Sequence, residues 1–158
     1  MIRGKYFKIY IIEIILVMLF FILAYPFLKV KELNMTSLRE SIRQSLDEDL
    51  NEGTLEDIRK IYGISKNDVN EFLFFKTKNN MNPKEVLVIE FKNETSLNNN
   101  KKNIENVLEN KKNSFKDYNA DAYSLLDKSI FEVKGCNLIL IVEEDNKKIE
   151  KIINENFR

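Results

Sequence analysis

The sequence predicts an α+β fold. An N-terminal transmembrane helix precedes two helices and a ββαββα unit, whose four strands form a mainly antiparallel sheet with its helices on one face. Three observations predict it. An apolar run, Ile9 to Leu28, stands behind a basic leader. Two strand–helix junctions, VLVIEFKNE and LILIVEEDN, echo each other. Between the run and the echo lie two stretches whose apolar residues recur at helical spacing.

The chain divides by composition into a basic cytoplasmic leader (1–8), a transmembrane anchor (9–28), a linker (29–35) and an extracytoplasmic α+β domain (36–158). About 20 predominantly apolar residues cross the hydrocarbon core of a bilayer, and Ile9–Leu28 has that length. Glu13 falls in the second turn, near the basic end, where a carboxylate reaches the headgroups at small cost. Tyr6, Tyr10 and Tyr25 bracket the run as interfacial aromatics do. A cleaved signal peptide is the rival reading, but cleavage wants small residues, and this run ends Leu23-Ala24-Tyr25-Pro26-Phe27. Arg3, Lys5 and Lys8 precede the run and Lys29 and Lys31 follow it, so the positive-inside bias places the N-terminus in the cytoplasm.

Five of the 25 basic and two of the 25 acidic residues lie in the first 32 positions, which leaves 20 against 23 beyond them. That mildly acidic remainder argues against nucleic acid as a partner, because nucleic acid selects clustered Lys and Arg. Cys136 is the single cysteine, so no internal disulfide forms and no cysteine zinc cluster exists. The chain contains no histidine, which removes the commonest general base and most transition-metal sites.

Ser37 with Glu40 has the form of a capping box, and Leu38, Ile42, Leu46 and Leu50 follow on one helical face. Asp47-Glu48-Asp49 reads as a solvated turn, since calcium-loop spacing is not present. Thr54 caps the next helix, Leu55, Ile58, Ile61 and Tyr62 form its apolar face, and Gly63 ends it. Glu71 to Lys78, rich in phenylalanine, and Glu85 to Lys92 form a hairpin about the turn signal NNMNPK.

Asn93 or Thr95 caps a long helix to about Asn113, with Leu97, Ile104, Val107 and Leu108 on its apolar face. Phe115 to Leu126 is a connector with a short helix. Ser129–Val133 and Asn137–Glu143 make a second hairpin about Lys134-Gly135. Asp145 caps a last helix whose inner face is Ile149, Ile152, Ile153 and Phe157. The two N-terminal helices of the domain are placed at an end or edge of the sheet.

Several of these features in one order resemble a known family. They are the Leu55-to-Tyr62-Gly63-Ile64 helix end, the Glu85-Val86 strand start, Phe115-x-x-Tyr118-Asn119, the Gly135 hairpin, LILIV and the final helix ending in Phe157. The pattern is similar to domain-of-unknown-function family 4358 over about residues 36–157. The resemblance implies a compact, envelope-facing α/β domain in an exported or membrane-anchored protein. It carries no activity, ligand or catalytic residue.

The chemistry-bearing residues read mostly as structural. Glu85 and Glu90 lie five apart on one strand, so they face opposite ways and cannot act as a pair. Asp117 and Asp121 flank Tyr118 and Asn119; Asp117 and Asn119 read first as holding turns, and the alternative is a carboxylate-dependent hydrolase acting on cell-wall glycan, which would use such a pair of acids. Phe72, Phe74 and Phe75 with Tyr118 and Tyr123 form either a glycan-stacking surface or core. Cys136 reads as a small apolar filler. Lys111-Lys112 and Lys147-Lys148 read as solvated helix faces rather than contacts to anionic polymer. Glu13 is a functional suspect as an acid inside an apolar span.

The sequence therefore predicts a non-enzymatic binding module. No residue is assigned to catalysis, a cofactor or a metal, and no cofactor is expected. The expected partners are the lipid bilayer and an envelope protein or cell-wall component.

Overall fold

The computed structural model describes residues 3–28, 32–46, 49–79 and 81–157. The expected connector at 29–31 and the acids Asp47 and Glu48 lie outside the described residues. Two compact units form, Met1–Lys31 and Glu32–Arg158.

The first unit holds helix α1 (Arg3–Leu28). Among the described residues no helix is long and apolar enough to cross a membrane, which overturns the transmembrane span expected over 9–28. The described apolar side chains from Phe7 to Leu23 are exposed, with the charged Glu13 among them. Glu13 puts a carboxylate inside that apolar run, and an ionisable group within a membrane span is costly.

The second unit is α+β, with five strands among the described residues rather than the expected four. Helix α2 (Met35–Ser45) leads to β1 (Leu50–Glu52), α3 (Leu55–Tyr62), β2 (Val69–Thr77) and β3 (Glu85–Phe91). Helices α4 (Glu94–Phe115) and α5 (Ala120–Asp127) follow, then β4 (Ile130–Lys134), β5 (Asn137–Val142) and α6 (Asn146–Glu155). All pairings are antiparallel in the order β1-β2-β3-β5-β4. The extra strand is β1, where Leu50 sits in the sheet against Thr77 instead of on a helix.

The helices cover both faces of the sheet, not one. One core joins Ile58 and Tyr62 of α3, Leu97 and Ile104 of α4 and Leu126 of α5 to Leu87, Ile89, Leu138 and Leu140. The other joins Leu38 and Ile42 of α2 and Ile149 and Ile153 of α6 to Leu73, Val86, Val88, Ile139 and Ile141. The physical reason is in the central strands, since all of β5 and all of β3 except Glu90 are buried, so neither face is left to water. A strand covered on both faces reads as a continuous apolar run. Truncating a fully buried Leu such as Leu87 to Ala costs about 2–5 kcal/mol.

Local signals fix the ends of the elements. Asn34, not Ser37, caps α2: its Oδ1 accepts the Ser37 N–H at 3.0 Å. Thr54 and Asp57 form a reciprocal capping box on α3, and Gly63 ends that helix at φ 71. Asn93 caps α4 and Asn119 caps α5 through side-chain oxygens. An irregularity between Val69 and Glu71 shifts the register of β2, so Val69 joins the α4 core while Leu73 and Phe75 join the other.

The echo between the two strand–helix segments is not a rotational duplicate. Antiparallel β3 and β5 are related by a two-fold axis normal to the sheet, which keeps both helices on one face. Yet α4 packs on one face and α6 on the other.

Candidate functional site

The sheet end that carries the β2–β3 turn holds a cleft of about 280 Å³. Lys76 and Thr77 at the end of β2, Lys84 and Glu85 at the start of β3, and Lys111 and Phe115 of α4 line it. The turn is built from its own side chains. Thr77 Oγ1 donates to the Asn82 carbonyl at 2.6 Å, Asn79 Oδ1 accepts the Met81 N–H at 2.9 Å, and Asn82 Oδ1 accepts the Lys84 N–H at 3.1 Å.

Each ammonium group of the cleft is held by carboxylates. Lys111 Nζ lies 2.6 Å from Glu85 Oε1, and Lys76 Nζ lies 3.0 Å from Asp57 Oδ1. Lys84, itself buried, meets Glu143 at 2.8 Å and Glu144 at 3.0 Å. Behind the first pair sits Tyr62, 2% exposed, whose ring lies 5.4 Å from Lys111 Nζ. Burial, and after it the charge of Glu85, holds the Tyr62 phenol well above its ordinary value of 10.0. Asp57 is held well below the ordinary carboxylate value of 3.8 by the Thr54 backbone N–H, then by the Thr54 hydroxyl and Lys76.

Beside the cleft Tyr118 stacks on its lining residue Phe115, with ring centres 6.0 Å apart and planes inclined by 22°. Its hydroxyl donates to the Met81 sulfur at 2.6 Å. Met81 is 50% and Tyr118 59% exposed, and among the described residues of the second unit they are the exposed large apolar side chains.

Residues 43–143 match the family described as domain of unknown function DUF4358. The chain belongs to this family. No curated protein and no solved structure matches the chain. The DUF4358 match runs from Arg43 in α2 to Glu143 just past β5, so it takes in the whole sheet, α3, α4, α5 and the cleft. Helices α1 and α6 lie outside it.

Within the DUF4358 fold the residues singled out from sequence disperse. Glu85 faces the α4 core and pairs with Lys111, whereas Glu90 sits on the opposite face across from Glu71. Asp117 and Asp121 are both exposed, outside the cleft. Of the five aromatics proposed as a platform, Phe74 and Phe75 are buried, Phe72 and Tyr123 are half-buried, and Tyr118 alone is exposed. Lys111 and Lys112 each hold an acid, Glu85 and Asp127. Lys148 donates to the Ser45 carbonyl at 3.2 Å. Cys136 is half-buried in the β4–β5 turn, and Glu13 is exposed on α1.

Sequence reading missed Met81 and Lys84 as site residues. The available signal was Met81 itself, an apolar side chain inside an otherwise polar turn. Among the described residues no group of three or more His, Cys, Asp or Glu is arranged to hold a metal.

Proposed function

We propose that this domain is a non-enzymatic binding module that engages a macromolecular partner at the Met81–Tyr118 pair beside the cleft. The observation that carries the reading is the contact between these two side chains. Large apolar groups exposed singly need no explanation, but two in contact beside a cleft form a patch. Tyrosine and methionine are enriched where proteins meet partners, and a methionine re-packs to suit what binds. The floor supports binding rather than proton transfer, because Lys111–Glu85, Lys84–Glu143 and Lys76–Asp57 are held in fixed pairs. An envelope protein or cell-wall component is the proposed class of partner.

Site-specific photo-crosslinking in cells that make the protein tests this. A photoreactive residue at Met81 is expected to capture a discrete partner, and Tyr118→Ala is expected to reduce that capture. The same residue at exposed Lys102 is the control. Equal capture at both positions, or none at Met81, overturns the reading.

A further inference from the structure

We propose that strand β4 is a docking edge for a second copy of this chain, the two β4 strands pairing antiparallel about a two-fold axis at Val133. β4 is an outer strand of the sheet, and it is free of proline, glycine and any bulge. The opposite edge, β1, is three residues long, and its Glu52 is clamped by Arg39 and Arg43. Short edges resist pairing, whereas a regular edge invites it.

The backbone geometry selects the residues. Lys134 pairs with Asn137 across the Gly135-Cys136 turn, with Gly135 at φ 58. The Cys136 carbonyl accepts the Phe91 N–H at 2.9 Å, so Cys136 points at β3. By alternation Asn137, Ile139 and Ile141 point at β4, and their partners Lys134, Glu132 and Ile130 point back. The N–H and C=O groups of Phe131 and Val133 therefore point outward. None of these four groups has a hydrogen-bond partner among the described residues.

The side chains select the register. A two-fold axis at Val133 sets Val133 against its copy and Glu132 against Lys134 in both directions. It also sets Phe131 against Gly135, a cross-strand pairing in which an aromatic ring covers an exposed glycine. An axis at Glu132 would oppose two like charges, which is unfavourable. An axis at Phe131 would leave each Glu132 opposite Ile130. Phe131, Val133 and Ile130 are half-buried and pack at the margins of the two cores, so pairing also covers their remaining apolar surface. This surface is separate from the Met81–Tyr118 pair and does not depend on its role.

The test uses the full chain with Cys136→Ser and a single new thiol, Val133→Cys, under mild oxidation at micromolar concentration. Association through the apolar α1 would not select position 133, and Lys102→Cys on α4 is the control. A disulfide-linked dimer is expected at 133 and not at 102. Adding Glu132→Lys is expected to lower the yield about tenfold, by setting like charges opposite one another in both directions. Adding Lys134→Glu as well is expected to restore it. Circular dichroism confirms that each variant is folded. Equal cross-linking at both positions, or a charge reversal without effect or without rescue, overturns the proposal.

Discussion

Lys111 of α4 reaches across to the first residue of β3 and sets its Nζ 2.6 Å from the carboxylate of Glu85. Glu85 is 3% exposed, while the Lys111 side chain keeps 28% of its surface in water. The pair ties the long helix to the central strand at the cleft floor. Removing one partner of a buried pair leaves an uncompensated charge. Lys111→Met is expected to lose about 2–4 kcal/mol of stability in urea unfolding. The double variant Lys111→Met/Glu85→Leu is expected to recover most of that. A single variant as stable as the parent would show that water reaches Glu85.

Tyr62 makes the same region sensitive to alkali. Its folded value is raised, so the folded state keeps a proton that the unfolded chain releases above about pH 10. Its contribution is fully present below 10.0 and declines as pH rises past it. Tyr62→Phe is expected to flatten the loss of stability above pH 10, followed by urea midpoints across that range. An unchanged alkaline slope would refute the assignment.

Asp57 works at the acid end, with the opposite sign. Its folded value is depressed, so its contribution is present above 3.8 and lost as pH falls through the folded value. Asp57→Asn is expected to reduce the dependence of stability on pH below 3.8. Thr54→Ala, which removes the hydroxyl half of the capping box, is expected to cost about 1 kcal/mol at neutral pH. Thermal unfolding at stepped pH checks both.

Gly53 approaches β2 too closely for a side chain. Its N–H donates to the Phe74 carbonyl at 2.7 Å, and an added Cβ would stand 2.6 Å from Phe74 Cδ1. Phe74 is fully buried, so its ring has little room to yield. Gly53→Ala is expected to cost about 1–3 kcal/mol by overpacking. Gly63→Ala meets open space and is expected to cost about 1 kcal/mol, from its left-handed backbone alone. Denaturant midpoints for the two variants separate packing from backbone strain.

Period and punctuation were legible in the chain. The β-branched residues of Glu85–Phe91, the Gly135 turn, the Asn93 cap and the Ile149, Ile152, Ile153 face each correspond to the element formed. β1 was not legible, because Leu50 continues the helical spacing of Leu38, Ile42 and Leu46, and three residues carry too little alternation to compete. The cleft was hidden for another reason. Lys76, Lys84, Glu85, Lys111 and Tyr62 are as much as 49 positions apart in the chain, and nothing local marks Lys111 as the partner of Glu85.

By itself the sequence determined which segments pair as hairpins and which run as helices, because those choices rest on side-chain period, caps and turn residues within a few positions. It also carried the match to the DUF4358 family over residues 43–143. Only the tertiary structure decided on which face each helix lies and which lysine neutralises which acid. These depend on contacts between residues far apart in the chain. The unbroken apolar runs of β3 and β5 required cover on both faces, but which helix supplies each side is fixed by packing, and the local pattern does not encode it.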